Sequence, residues 1–177
     1  GAGVGGHCIP KDPWLLIANA GPDFDPRLVP TARAINDGMP HHMVELTVQA
    51  LEEAGVAIDQ AKVAVLGYAY LQNSDDTRNS PSAVLVEELR ELGAQVVIHD
   101  PYVPQYQGDL TERVRGSDAL VVMVAHDEYR GLPLDDLRSS VHHAVLVDGR
   151  HVLSRTQAER AGWSLRCRHK SLALVLT

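Results

Sequence analysis

Four short runs of continuous apolar character constrain the fold of this 177-residue chain more than any other feature. They are Lys62-Val63-Ala64-Val65-Leu66, Gln95-Val96-Val97-Ile98-His99, Ala119-Leu120-Val121-Val122-Met123-Val124 and Ala144-Val145-Leu146-Val147. None alternates polar with apolar, as a sheet with one wet face would require. Continuous runs suit a parallel sheet covered on both sides. Helical patterns separate them. Ser80-Pro81 supplies an N-cap and a first-turn proline for a helix over 80–92, with Ala83, Val86, Leu89 and Leu92 on one side and Gly93 as its stop. Shorter helices are expected near 109–114 and 134–139. Strand–helix–strand alternation at this spacing requires right-handed crossovers and hence a doubly wound α/β domain.

Ahead of the first strand the rhythm is helical. Val44, Val48 and Leu51 recur at i, i+4, i+7, with Met43 and Thr47 beside them. Gly38 and Pro40 interrupt the stretch, which predicts either two helices or one long helix kinked there, ending at Gly55. Residues 1–25 read as loop and turn. Four sections follow: a cysteine loop over 1–25, a helical section over 26–58, the α/β domain over 59–162 and a tail over 163–177. In the tail, Leu172 to Leu176 has strand character with nothing after it to close the fold.

A formal charge of −7 argues against a nucleic-acid surface, which would carry a clustered basic face. No apolar run is long enough to span a bilayer, and the first residues lack the regions of a signal peptide. The two cysteines, Cys8 and Cys167, lie at opposite ends and form no spacing ladder. A reducing, cytoplasmic setting is the expectation.

The segment Gly3-Val4-Gly5-Gly6-His7-Cys8-Ile9-Pro10-Lys11-Asp12-Pro13 carries the strongest chemical signal. Glycines before a cysteine let the backbone bend and bring a substrate close to sulfur. A thiolate is stabilised by nearby positive charge, which Lys11 is placed to supply, and the Gly5-Gly6 backbone is placed to offer N–H donors to an oxyanion. Asp12 could position a water, and His7 could act as a base. The competing reading is a glycine-rich turn with an incidental cysteine.

The polar segment from Gly67 to Pro81 lies at the carboxyl end of the first α/β strand, where such sheets bind ligands. It is not G-x-G-x-x-G and does not indicate a dinucleotide. Asp75, Asp76 and Arg78 suit an ion-pair cluster equally well, with Arg78 the better ligand candidate. Asp148-Gly149-Arg150 ends the last clear strand on the same edge, and Arg150 there suits a bidentate phosphate contact or a solvated surface position. Asp100 is read as a turn-capping carboxylate. The pairs His41-His42 and His142-His143 point apart on their elements and are read as solvated surface, with no metal. Cys167 is read as incidental.

Together these pieces resemble the C-terminal half of the UDP-glucose/GDP-mannose dehydrogenase family. The resemblance rests on residues 3–14, on Thr31-Ala32-Arg33-Ala34-Ile35-Asn36-Asp37, on 67–81 and on 148–150, in the family's order, and covers about residues 1–155. It implies a long dimerisation helix followed by a Rossmann-like UDP-binding domain. It also implies a nucleotide-sugar pathway such as polysaccharide biosynthesis, in which a UDP-sugar is oxidised at C6 to the uronic acid through a cysteine thioester, with NAD. By resemblance Cys8 is the nucleophile, Asp12 helps to activate the hydrolytic water, Gly5 and Gly6 wrap the sugar, and Arg78 and Arg150 contact the nucleotide. The helix from Arg33 onward resembles the one through which two subunits pair as a homodimer. The family's N-terminal NAD-binding domain has no counterpart in these residues, so the chain alone is expected to be inactive. The alternative is a catalytically inactive UDP-binding and dimerisation module. The family commonly carries a lysine where this chain has Leu71, and beyond about Gly162 the sequence departs from the usual ending. His7-Cys8-Ile9 and Asp12-Pro13-Trp14 resemble the UDP-N-acetylmannosamine branch, whereas Pro10-Lys11 resembles the UDP-glucose branch.

Overall fold

The apolar runs pair as parallel strands. A computed structural model describes residues 1–21 and 23–167. The helices are α1 (Cys8–Ala18), α2 (Leu28–Asp37), α3 (Met39–Glu53), α4 (Pro81–Glu91), α5 (Leu110–Val114), α6 (Leu134–Ser140) and α7 (Arg155–Arg160). The strands are β1 (Lys62–Leu66), β2 (Gln95–His99), β3 (Ala119–Val122), β4 (Val145–Asp148) and β5 (Ser164–Cys167). They form one sheet in the order β2-β1-β3-β4-β5, with every neighbouring pair parallel. The chain therefore winds from β1 outward to β2, then back across to β3, and a crevice opens between the loops that follow β1 and β3.

Successive strand residues point to opposite faces, and both faces are dry. Val63 and Val65 of β1, Val121 of β3 and Val147 of β4 pack against Met43 and Leu51 of α3 and Leu85 and Leu89 of α4. Ala64, Leu66, Leu120, Val122 and Leu146 pack on the other side against Val114, Leu137, Ala158 and Trp163. This two-sided burial is the physical reason why the strands read as unbroken apolar runs. On α4, Val86 and Leu89 are buried as the pattern predicts, but Leu92 is exposed and Leu85 faces the core instead. Ser80 caps α4, its Oγ accepting from the N–H of Ser82 at 3.1 Å.

The helical section is one long bent element. α2 and α3 abut at Gly38, whose N–H still bonds the Ala34 carbonyl at 3.0 Å, and Pro40 occupies the first turn of α3, where no N–H is required. Two stretches differ from the sequence reading. Residues 8–18 are helix rather than loop, because Pro10 falls in a first turn, where its missing N–H costs nothing, and only Pro13 removes an interior bond. The tail reading is also corrected at its start. Ser164–Cys167 is the fifth strand, with Leu165 and Trp163 buried, since β4 leaves an edge that this segment fills. The strand expected over Leu172 to Leu176 lies outside the described residues. Among the described residues no helix is long and apolar enough to cross a membrane.

The turn out of β1 depends on Gly67. Its φ is +92°, and a Cβ there would lie 2.4 Å from Val124 Cβ and 2.9 Å from the Val124 nitrogen. Gly67→Ala should lower the unfolding free energy by about 2–4 kcal/mol, combining left-handed strain with a backbone clash. Urea denaturation checks this, and an unchanged midpoint would refute the steric reading.

Candidate active site

One buried carboxylate organises the loops above the strand ends. Asp100, immediately after β2, is fully buried. Its Oδ2 accepts from the N–H groups of Tyr68 (2.6 Å) and Ala69 (2.9 Å) and from His126 Nε2 (3.1 Å). Its Oδ1 accepts from the N–H groups of Tyr102 (2.8 Å) and Val103 (3.1 Å). His126, also fully buried, accepts the Asn73 N–H on Nδ1 at 2.9 Å, so Nε2 carries the proton given to Asp100. Burial alone would raise the Asp100 carboxyl. The bonds from His126, Ala69, Tyr68 and Tyr102 outweigh it and hold the group well below the usual carboxylate range. Asp100 is thus the capping group expected, but it caps three segments at once. Neighbouring His99 has its Nδ1 2.9 Å from the Tyr129 hydroxyl, and burial pushes its imidazole below the ordinary value.

The loop that this cluster secures receives the N-terminal segment. The Gly6 N–H donates to the Arg78 carbonyl at 2.8 Å, and Asn79 Nδ2 donates to the Gly6 carbonyl at 2.9 Å. Gly5 sits so close that a Cβ would lie 2.4 Å from the Asn79 oxygen, and one on Gly6 would lie 2.8 Å from Tyr70 Cε2. At the other end Arg150, after β4, donates from Nε to the Met123 carbonyl (2.7 Å) and from Nη2 to the Gly3 carbonyl (3.0 Å). Asp148 in turn accepts the Arg150 and Leu153 N–H groups, each at 2.9 Å. Residues 1–6 therefore cross the carboxyl edge of the sheet from the β4 loop to the β1 loop.

Cys8 emerges from this crossing as the first residue of α1, exposed and free. The cap residue His7 makes no side-chain bond to the first N–H groups of this helix. Arg78 is chelated by Asp76, whose hydrogen bonds and charge raise the guanidinium above its ordinary value. The expectation that Gly6 offers its N–H to an oxyanion is corrected, because Arg78 already takes that donor. His7 turns along the helix, its Nε2 3.3 Å from Lys11 Nζ, and Lys11 also lies 3.7 Å from Asp12. Cys8 and Asp12 share a groove of about 620 Å³ between α1 and α2. Arg150 borders a second cavity of about 330 Å³ with Gly3, Asn36 and Met39. Leu71 is exposed at the crevice.

The histidine pairs are paired rather than simply solvated. His41 Nδ1 lies 2.5 Å from Glu88 on α4, and His143 Nδ1 lies 2.9 Å from Asp118. Sequence reasoning missed His126 and Arg33. His126 gave no signal because its partners lie 26 and 53 residues away.

Comparison with known proteins agrees with this layout. Residues 64–155 match the UDP binding domain, and residues 1–38 the central domain, of the UDP-glucose/GDP-mannose dehydrogenase family. A UDP-N-acetyl-D-mannosamine dehydrogenase from Pyrococcus horikoshii is 42% identical over 153 residues, covering 86% of this chain and 36% of that protein. The solved UDP-D-ManNAc dehydrogenase from the same organism superposes with a TM-score of 0.86 at 39% identity, covering 94% of this chain and 39% of that one. An NDP-N-acetyl-D-galactosaminuronic acid dehydrogenase from Methanosarcina mazei Go1 superposes with a TM-score of 0.87 at 39% identity, with 94% and 38% covered. The likeness runs past Gly162, in keeping with β5 as part of the sheet. The chain spans little more than a third of the length of these relatives.

Acid should loosen the site before the rest of the fold. His99, held below its ordinary value, contributes stability above about pH 6.5 that is lost as pH falls; Asp100, held far down, contributes stability above about pH 4 that is lost on further acidification. Urea midpoints from pH 8 to pH 3 should fall in those two windows. Asp100→Asn should remove the lower one and cost about 3 kcal/mol at pH 7, because its amide turns donors toward donors. A pH profile that Asp100→Asn leaves unaltered would remove the assignment.

Proposed function

Because the chain belongs to the UDP-glucose/GDP-mannose dehydrogenase family, we propose that its α/β section over 59–162 holds the UDP portion of a nucleotide sugar and presents the sugar to Cys8. The observation that carries this reading is the docking of residues 1–6 on the strand ends. The bonds Gly6–Arg78, Asn79–Gly6 and Arg150–Gly3 make the thiol loop and the ligand-binding edge of the sheet one unit. Arg78 and Arg150 are the cations that this reading assigns to an anionic nucleotide, and the Gly5-Gly6 backbone, packed on Asn79 and Tyr70, is assigned to wrap the sugar. The acetamido-sugar names of its relatives support a UDP-N-acetylhexosamine, of the N-acetylmannosamine type, as the substrate.

In the full reaction Cys8 would carry the oxidised C6 as a thioester. Asp12, in the same groove, would accept a proton from the water that attacks it. The two oxidations draw on NAD. The long polar turn after β1, sealed by Asp100 and His126, has no glycine-rich phosphate turn, so this sheet does not fit a dinucleotide and NAD is assigned to residues outside these 177. By itself the chain therefore binds and pairs rather than turns over. Pairing is assigned to the bent helix α2–α3, where Leu28 and Ile35 are 81% and 65% exposed.

Calorimetry with UDP tests the reading. Arg150→Ala and Arg78→Gln should each weaken binding by about tenfold or more, as loss of a charge-assisted contact does. Cys8→Ser should leave UDP affinity unchanged. No heat on titration with UDP would leave only the pairing role. Mixing the chain with the NAD-binding portion of a relative should yield NADH from a UDP-N-acetylhexosamine, and full oxidation surviving Cys8→Ser would exclude the covalent route.

A further inference from the structure

The helices α1 and α2 bury almost nothing of themselves, yet they bury a cation. α1 has no buried residue, and the one buried residue of α2 is Arg33, 8% exposed, while Leu28 and Ile35 on the same helix face outward. Burying a guanidinium is unfavourable unless its donors are satisfied. Arg33 bonds Asp37 through one terminal nitrogen, but its Nε finds no partner among the described residues. The same side chain lines the groove that holds Cys8 and Asp12. Asn36, one turn beyond Arg33, reaches the Val4 carbonyl at 3.5 Å. Leu16, Leu28 and Val29 line the same groove. Asp12 is offset by Lys11 at 3.7 Å.

We propose that this groove is a carboxylate-binding site in which Arg33 holds the anionic end of a ligand while Cys8 faces its carbon. A small acid with an uncharged body fits walls that are apolar apart from these groups. The assignment rests on the function proposed above for its natural ligand. Hydrolysis of a thioester on Cys8 joins the water oxygen to the acyl carbon and breaks the carbon–sulfur bond. One proton goes to the sulfur, the other leaves by way of Asp12, and a carboxylate forms with no change of oxidation state. Arg33 would orient that carboxylate as it departs, as a positioning residue for the released acid.

Iodoacetate and iodoacetamide deliver similar carbon electrophiles to a thiol and differ in charge, so their rate ratio at Cys8 reports a local cation. In the unaltered chain, with peptide mapping to separate Cys8 from Cys167, this ratio should exceed that of free cysteine. Propionate should slow the reaction and propionamide should not. Arg33→Gln should lower the ratio by about tenfold, the scale of one charge-assisted contact. Arg33→Lys should restore part of it, and Arg115→Gln, at the exposed end of α5, should leave propionate protection in place. Equal protection by propionate and propionamide overturns the proposal even where the variants do not fold, as does a ratio that Arg33→Gln leaves unaltered. No nucleotide enters the assay, so a chain that binds UDP but fails here refutes only the Arg33 assignment. One that passes here but ignores UDP refutes only the nucleotide reading.

Discussion

Asp100 is the constraint on which the upper face of this molecule depends. A carboxylate out of reach of water is tolerable only when its lone pairs are filled, and Asp100 fills them with four backbone N–H groups and His126. Each donor comes from a connecting segment rather than from a strand. The loop after β1, the turn after β2 and the segment after β3 are thereby fixed relative to one another. Hydrogen bonds to a charged acceptor in a low-dielectric interior are stronger than their solvent counterparts, and removal of that acceptor would orphan every donor together.

That rigidity is inherited by the site. The β1 loop would otherwise be a long polar excursion with few apolar contacts. Held at Tyr68, Ala69 and Asn73, it presents the Arg78 carbonyl and the Asn79 amide to the N–H and carbonyl of Gly6. Arg150 secures the opposite end of the same segment through Gly3. Both arginines thus combine charge with architecture. Arg78 is gripped by Asp76 and Arg150 by two carbonyls, so each side chain is held in place by the fold itself.

Much of the scaffold was legible in the chain. Unbroken runs such as Val63–Leu66 and Leu120–Val122 mark strands with two dry faces, and Ser80-Pro81 and Gly93 bracket a helix by cap chemistry that acts within a few residues. Legibility failed where the deciding partner was remote or the local signals conflicted. Two prolines disguised α1 as a loop. Ser164–Cys167 is too short and mixed to register as a strand, and becomes one only because β4 offers an unpaired edge. His126 and Arg33 look ordinary in sequence because their significance is burial, a property of the folded chain.

The residues alone determined the class of fold and the inventory of reactive groups: a parallel layered domain, a thiol in a glycine-rich setting, and arginines at strand ends. These follow from periodicity, capping and composition, which act over a few neighbouring residues. Tertiary structure alone decided which of those groups meet. It brought residue 6 onto residue 78 and residue 3 onto residue 150, took the Gly6 N–H out of play, and set Arg33 and Cys8 along one groove. Contacts of that separation are set by the strand order and by the demand that buried polar groups find partners, and neither is written in any local stretch of the chain.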